Sequence, residues 1–238
     1  MKDLVPLPKI IIAGGTGFLG QLLVQSFLKD GYDVVLLSRN IYQTGILGRL
    51  VEWDGESTGD WIEELEASRA LINLTGRSID CRHTPSNRQE ILDSRIKSTR
   101  VLGEALHHCI KPPAVWLNAS SMALYGQCIG GEEAHDENSP ITKSGFLEEV
   151  TVAWEDEFFK LYLDAINNNI QLHLLERHNE YSPILIDFDF KTKNNKEIKL
   201  KNFLYYLPLN PIEYDMDKTF LETIFKKIRK LENFKIFS

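Results

Sequence analysis

Cysteine is scarce in this 238-residue chain: Cys81, Cys109 and Cys128 are an odd, scattered set without metal-ligand spacing. That excludes a disulfide framework and fits reduced thiols in a cytoplasmic protein. No apolar run is long enough to span a bilayer, and the first eight residues have neither the basic nor the apolar region of a secretory leader. Neither membrane insertion nor export is expected. Positive charge is not in surplus either. A formal net charge of −7 argues against nucleic acid as a general partner. Glycine is missing from one part of the chain only: all 15 glycines lie at or before Gly145, and the last tryptophan is Trp154. Residues 1–160 hold 15 basic and 23 acidic side chains, whereas residues 161–238 hold 12 and 11. Such a shift in composition predicts a boundary between Phe159 and Asp164, with domains at 1–160 and 161–238. No Pro- or Ser-rich linker marks it, and Trp154 to Ala165 reads as continuous helix across the seam.

What is present is concentrated near the start. The run Lys9-Ile-Ile-Ile-Ala-Gly-Gly-Thr-Gly-Phe-Leu-Gly20 leads from an apolar strand into glycines spaced Gly14-x-x-Gly17-x-x-Gly20, and a helix pattern follows from Gln21 to Asp30, ended by Gly31. This arrangement suits a phosphate. Gly14 permits a tight turn, Gly17 lets the backbone approach a diphosphate, and Gly20 lets the helix lie close on its strand. The helix start adds free N–H groups and a positive dipole end. Gly14, Gly15, Thr16, Gly17, Phe18, Leu19 and Gly20 are therefore candidate coenzyme-binding residues.

A second buried strand is predicted over Tyr32 to Leu37, followed by Ser38-Arg39-Asn40. An acidic residue would be expected here to hold the ribose hydroxyls of NAD. There is none. A hydroxyl followed by a guanidinium suits a 2′-phosphate instead, so Ser38 and Arg39 favour NADP over NAD, the alternative being a solvated arginine at a strand end. Further strands are predicted at Ala70–Leu74 and Ala114–Asn118, separated by a long helix pattern over about Ser86 to Cys109. Strands alternating with helices imply a Rossmann-like, doubly wound parallel sheet to about residue 160. Arg95, within the long helix, could face the cleft, but helix-face carboxylates such as Glu90, Asp93 and Glu104 offer ordinary partners, and that reading is preferred.

Several short motifs follow the glycines in order: Asn73-Leu74-Thr75-Gly76, Asp93-Ser-Arg-Ile-Lys-Ser-Thr99, Ser120-Ser-Met-Ala-Leu-Tyr-Gly126, and Phe146-Leu147 with Trp154-Glu155. Together they resemble the atypical, epimerase-like branch of the extended short-chain dehydrogenase/reductases. The resemblance implies a Rossmann domain, NADP binding and a catalytic region after the strand bearing Asn118. It implies that Asn73, Leu74, Thr75 and Gly76 line the coenzyme groove. Chemistry at a carbonyl needs a hydroxyl to polarise oxygen and a proton donor beside it. Ser120 or Ser121 can supply the first, with Ser120 nearer the coenzyme and Ser121 the candidate catalytic residue. Tyr125 is the nearby phenol, either the acid or a packing group. The Tyr-x-x-x-Lys pair of the wider superfamily is absent, with Phe146 and Val150 in its place. The resemblance also implies a later strand and a small substrate-binding domain. Only Gln171 to Arg177 could serve as that strand, so turnover is left open.

The tail carries a different signal. Tyr181-Ser-Pro-Ile-Leu-Ile-Asp187-Phe-Asp189-Phe190 puts two carboxylates two residues apart, on one face of a strand. Such a pair suits Mg²⁺ holding phosphate oxygens. Over about residues 158–191 the segment resembles the first metal motif of viral archaeo-eukaryotic-type primases, which implies Asp187 and Asp189 as metal ligands. The alternative is an edge strand with a solvated acidic face. Thr219 to Phe237 has the pattern of a packing helix with a basic outer face. The chain thus reads as a truncated α/β Rossmann-like sheet joined to an unrelated α+β C-terminal segment. Its expected function is NADP-binding, of the oxidoreductase or epimerase type, acting on a small molecule at a hydroxyl or carbonyl carbon. The alternatives are a non-catalytic dinucleotide sensor, or a chimeric chain whose tail derives from a viral DNA primase.

Overall fold

The computed structural model describes residues 7–125, 145–169, 184–191 and 197–208. Five strands pair in parallel: β1 (Lys9–Ala13), β2 (Asp33–Ser38), β3 (Arg49–Glu52), β4 (Ala70–Asn73) and β5 (Val115–Ala119). Their order is β3-β2-β1-β4-β5, that of a doubly wound nucleotide-binding sheet. The connections carry helices α1 (Phe18–Lys29) and α2 (Pro85–Leu106), and α3 (Phe146–Asn169) follows β5.

Alternate strand residues feed two separate cores. Ile10, Ile12, Val34, Leu36 and Ile72 pack with Leu23, Val24 and Phe27 of α1. Ile11, Val35, Leu71 and Trp116 pack with Val101, Leu102 and Ala105 of α2 and with Phe158 of α3. Helices on both faces explain why the strands are apolar without alternation. Each large side chain removed from water in this way contributes about 1.5–3 kcal/mol.

Helix ends follow local chemistry. Gly17, in extended conformation, caps α1, which begins at Phe18, three residues before the start expected at Gln21, and Gly31 terminates it with φ +82°. Thr84 caps α2 by accepting a hydrogen bond from the Asn87 amide, and Pro85 takes the first position. α2 stops at Leu106, short of Cys109, with Pro112 and Pro113 beyond. At Gly103 a side chain would meet Leu161 at 2.8 Å, so this glycine lets α2 and α3 pack closely. α3 runs unbroken across residue 160, as the pattern over Trp154 to Ala165 predicts.

Two strands differ from expectation. β3 is only four residues long, half exposed and charged at both ends, so it lacks the apolar run that marks its neighbours. The tail contributes β6 (Ile184–Lys191) and β7 (Glu197–Pro208), an antiparallel pair, and β7 runs antiparallel to β5 with Trp116 opposite Leu207. An antiparallel strand thus stands where a doubly wound sheet would place its sixth parallel one. The segments Gln171 to Arg177 and Thr219 to Phe237 lie outside the described residues.

Candidate functional site

The glycine loop between β1 and α1 lies at the carboxyl edge of the sheet. Gly14 has φ +74°, and a side chain there would come within 3.0 Å of the Leu74 carbonyl and the Thr75 nitrogen. A Cβ on Gly15 would sit 2.5 Å from Leu36, and one on Gly20 would overlap the backbone of Gly15. Gly20 therefore seats the helix against the loop, rather than directly on the strand. Gly17 differs: a Cβ there would meet only the Gly14 carbonyl oxygen, at 3.5 Å. Among the described residues no neighbour requires a glycine at 17, and the position faces open space. No side chain caps α1, and among the described residues its first-turn amides at Phe18 and Leu19 have no acceptor. They point a partial positive charge at the same opening.

Two clefts meet here, sharing Gly14, Gly17 and Leu74 to Gly76. The outer cleft, about 1000 Å³, includes Thr16, Ser38 and Arg39. The Ser38 hydroxyl closes a tight turn, donating to the Asn40 carbonyl and accepting from its amide, 3.2 Å each. Arg39 is exposed in this cleft and makes no ion pair among the described residues. Its neighbours are engaged: Arg77 pairs with Glu90, and Lys97 with Glu56 at 3.1 Å. The backbone amides of Glu56 and Ser57 hold the Asp54 carboxyl below the usual carboxylate range.

The inner cleft, about 320 Å³, includes Phe18, Leu19, Gly20, Ser120, Ser121 and Arg95. Ser120 is buried and donates its hydroxyl proton to the Glu155 carboxylate on α3, itself buried. Ser121 accepts a hydrogen bond from the Ala123 amide at 3.2 Å. Tyr125 lines neither cleft. It packs with Leu124 and Val152 in a small separate cluster.

Asn73 lines neither cleft either, but it holds the floor of both. It is fully buried, and its amide donates to Asn118 at 2.7 Å and Thr99 at 3.2 Å while its oxygen accepts from the Thr75 amide at 3.0 Å. Trp154 donates to the same Thr99 hydroxyl at 2.9 Å. The ends of β4 and β5, α2 and α3 are thereby tied together through satisfied polar groups. Thr75 is an exception, because its hydroxyl is buried beside both clefts without a partner.

Sequence reasoning assigned no role to Asn118, Thr99, Glu155 or Gln21, and it ranked a cleft-facing Arg95 second. Gln21 clamps the glycine loop, donating to the Gly15 carbonyl at 3.0 Å and accepting from the Leu47 amide at 3.0 Å. The signal for Asn118 was visible: two apolar strands each end in asparagine, and the register makes Asn73 and Asn118 neighbours. Arg95 does not pair with helix-face carboxylates as expected. Its guanidinium donates to the carbonyls of Ile91 and Arg77 and turns into the inner cleft. Asp187 and Asp189 both lie in β6, at register positions opposite Lys201 and Lys199. Among the described residues no cluster of three or more His, Cys, Asp or Glu could hold a metal ion, and no helix is long and apolar enough to cross a membrane.

The profile of the NAD dependent epimerase/dehydratase family matches residues 10–147, and the chain belongs to that family. A second profile, the N-terminal AEP domain of the C962R protein, matches residues 150–235. Both resemblances drawn from the residues therefore hold. The epimerase family protein YfhF of Bacillus subtilis is 34% identical over 149 residues, which are 62% of this chain and 48% of that protein. The epimerase family protein SDR39U1 of Homo sapiens is 29% identical over 150 residues, 62% of this chain and 47% of that protein. The crystal structure of human SDR39U1 with NADPH superposes with a TM-score of 0.52 at 27% identity, covering 63% of this chain and 48% of that one. The chain spans about half the length of the curated relatives it matches.

Proposed function

We propose that residues 1–160 bind NADP and support oxidation, reduction or epimerisation at a hydroxyl- or carbonyl-bearing carbon of a small molecule. The open space at Gly17 beneath unpartnered helix amides carries this reading, because it fits a diphosphate and no group among the described residues fills it. The lone Thr75 hydroxyl and the unengaged Arg39 guanidinium fit the rest of such a coenzyme. The NADPH-bound human relative adds support. Within the family reading, a bound nicotinamide coenzyme supplies or accepts hydride at the reacting carbon. Backbone amides of Phe18 and Leu19 hold the diphosphate, and Arg39 takes the 2′-phosphate through its planar fork. Ser121 orients the substrate oxygen from the end of β5, and the Glu155–Ser120 pair fixes the wall beside it. Tyr125, outside both clefts, is assigned no proton transfer.

Thermal unfolding with NADPH against NADH tests the binding claim, since a ligand of the folded state raises apparent stability. NADPH should give the larger shift, and Arg39→Ala should shrink the difference. A folded protein that responds to neither at millimolar concentration overturns the assignment. Turnover of NADPH against a panel of carbonyl compounds, lost in Ser121→Ala, tests the chemistry.

Phe146 and Val150, standing where a Tyr-x-x-x-Lys pair would be, favour a second reading. Val150 is buried and lines the inner cleft without any proton to give. A non-catalytic sensor would bind NADPH tightly and turn over nothing. For residues 161–238 we propose a separate unit in which Asp187 and Asp189 hold Mg²⁺, supported by the AEP profile match. A Mg²⁺-dependent stabilisation abolished by Asp187→Asn is the expected outcome. No Mg²⁺ effect removes this role.

A further inference from the structure

Arg95 is a half-buried cation in the inner cleft without a carboxylate. One terminal nitrogen, Nη1, donates to the Ile91 carbonyl at 2.9 Å and to the Arg77 carbonyl at 3.2 Å. The Nε and Nη2 protons have no acceptor among the described residues, and no carboxylate there lies within 4.0 Å. Burial alone pulls its pKa below the ordinary arginine value. Of the other cations along the clefts, Arg77 and Lys97 are paired with carboxylates, and Arg39 lies exposed at the far side of the outer cleft. A cation held out of water without a counter-charge is costly, and an incoming anion removes that cost.

The guanidinium is also pinned. Its Cζ lies 5.3 Å from the centre of the Trp154 ring. On another side it abuts Gly76, where an added Cβ would come within 3.0 Å of the same carbon. A flat fork fixed by two carbonyls, a ring and a glycine is preorganised for a planar or tetrahedral oxyanion. Ser121 opens on the same cavity, of about 320 Å³.

We propose that the inner cleft is an anion subsite: the free edge of Arg95 binds a carboxylate or phosphate of the substrate, whose hydroxyl or carbonyl is thereby set against Ser121. The substrate class is then a small hydroxy or oxo acid, or a phosphorylated equivalent. This rests on the coenzyme reading above, because it takes the hydride-accepting carbon to lie in this cleft. The same guanidinium could instead grip the coenzyme's own diphosphate, and the experiment separates the two.

The full chain is titrated with pyruvate and with inorganic phosphate, with and without saturating NADPH, following tryptophan fluorescence and thermal unfolding. Saturable quenching in wild type is expected, because Trp154 lies against the guanidinium, together with a rise in melting temperature. Arg95→Gln should weaken anion binding by about tenfold or more, the scale of a lost charge-assisted contact, with NADPH affinity unchanged. If Arg95→Gln does not fold, Arg95→Lys serves, since it keeps the charge and loses the fork. Absence of any saturable anion response in either state overturns the subsite. So does a matching loss of NADPH affinity in the variant, which would assign Arg95 to the coenzyme. Failure of NADPH to bind wild type refutes the coenzyme reading, and the anion titration without NADPH still reports on Arg95 alone.

Discussion

Strands β1, β2, β4 and β5 are apolar almost without interruption, whereas β6 and β7 alternate apolar residues with Asp, Lys and Asn. The first group is covered by helices on both faces, and Ile10, Ile11 and Ile12 are all fully buried. In the β6–β7 register residues of opposite charge stand at facing positions, Asp187 and Lys201, Asp189 and Lys199, Lys191 and Glu197. One region holds together by exclusion of water, and the other is joined by antiparallel backbone pairing. The contrast teaches where polar groups can be tolerated. In the parallel part the buried Asn73 donates to Asn118, and Thr99, Thr75 and Ala119 supply the pair's other partners.

The comparison breaks most sharply at Phe158, which is fully buried against Trp116 with ring centres 4.7 Å apart. Phe158→Ala should cost about 3–5 kcal/mol in urea unfolding. A loss below about 1 kcal/mol would show that α3 does not seal this face. Within the glycine loop, Gly20→Val should destabilise the fold by about 1–3 kcal/mol, because its Cβ meets immovable backbone. Gly17→Ala, at φ −74°, should leave stability within about 0.5 kcal/mol yet weaken NADPH binding in a calorimetric titration. Equal effects of both substitutions on stability would erase the distinction between a structural and a ligand-facing glycine.

Asn73→Ala should cost about 1–3 kcal/mol, since the Asn118 carbonyl and the Thr75 amide lose their partner inside the protein. By contrast, Lys201→Glu in the hairpin should cost about 1 kcal/mol or less in the same urea experiment. A larger loss there would mean that charge pairing, more than backbone pairing, holds that edge. The smallest effect concerns Cys109, whose thiol pKa burial pushes up to about 11. The folded state keeps this proton longer than the unfolded chain, whose thiol titrates near about 8.5. The stabilisation is therefore full below that value and is lost as pH rises towards 11. Alkylation of Cys109 at about pH 8 should be slower in the native protein than in urea, and equal rates would contradict the burial.

Much of the parallel sheet and the glycine loop was legible because their signals are local. An apolar run followed by spaced glycines needs no partner to be recognised, and Gly31 marks the end of α1 by its own backbone preference. Arg39 could be singled out for the same reason, because it follows a strand end where an acidic residue was expected. β3 escaped because Arg49-Leu-Val-Glu52 borrows its pairing from β2 and has little apolar content of its own. β7 escaped because its place beside β5 depends on residues far apart in the chain, such as Trp116 and Leu207, and no local pattern encodes that encounter.

The residues on their own determined the family, the glycine-rich turn after β1 and the change of composition near residue 160, all properties of neighbouring side chains and backbone preferences. Only the tertiary structure decided that Arg95 faces a cavity rather than a helix-surface carboxylate, that Ser120 is held by Glu155, and that Tyr125 stands apart from both clefts. Helical periodicity gives the direction of a side chain. What waits in that direction depends on which distant segment packs there.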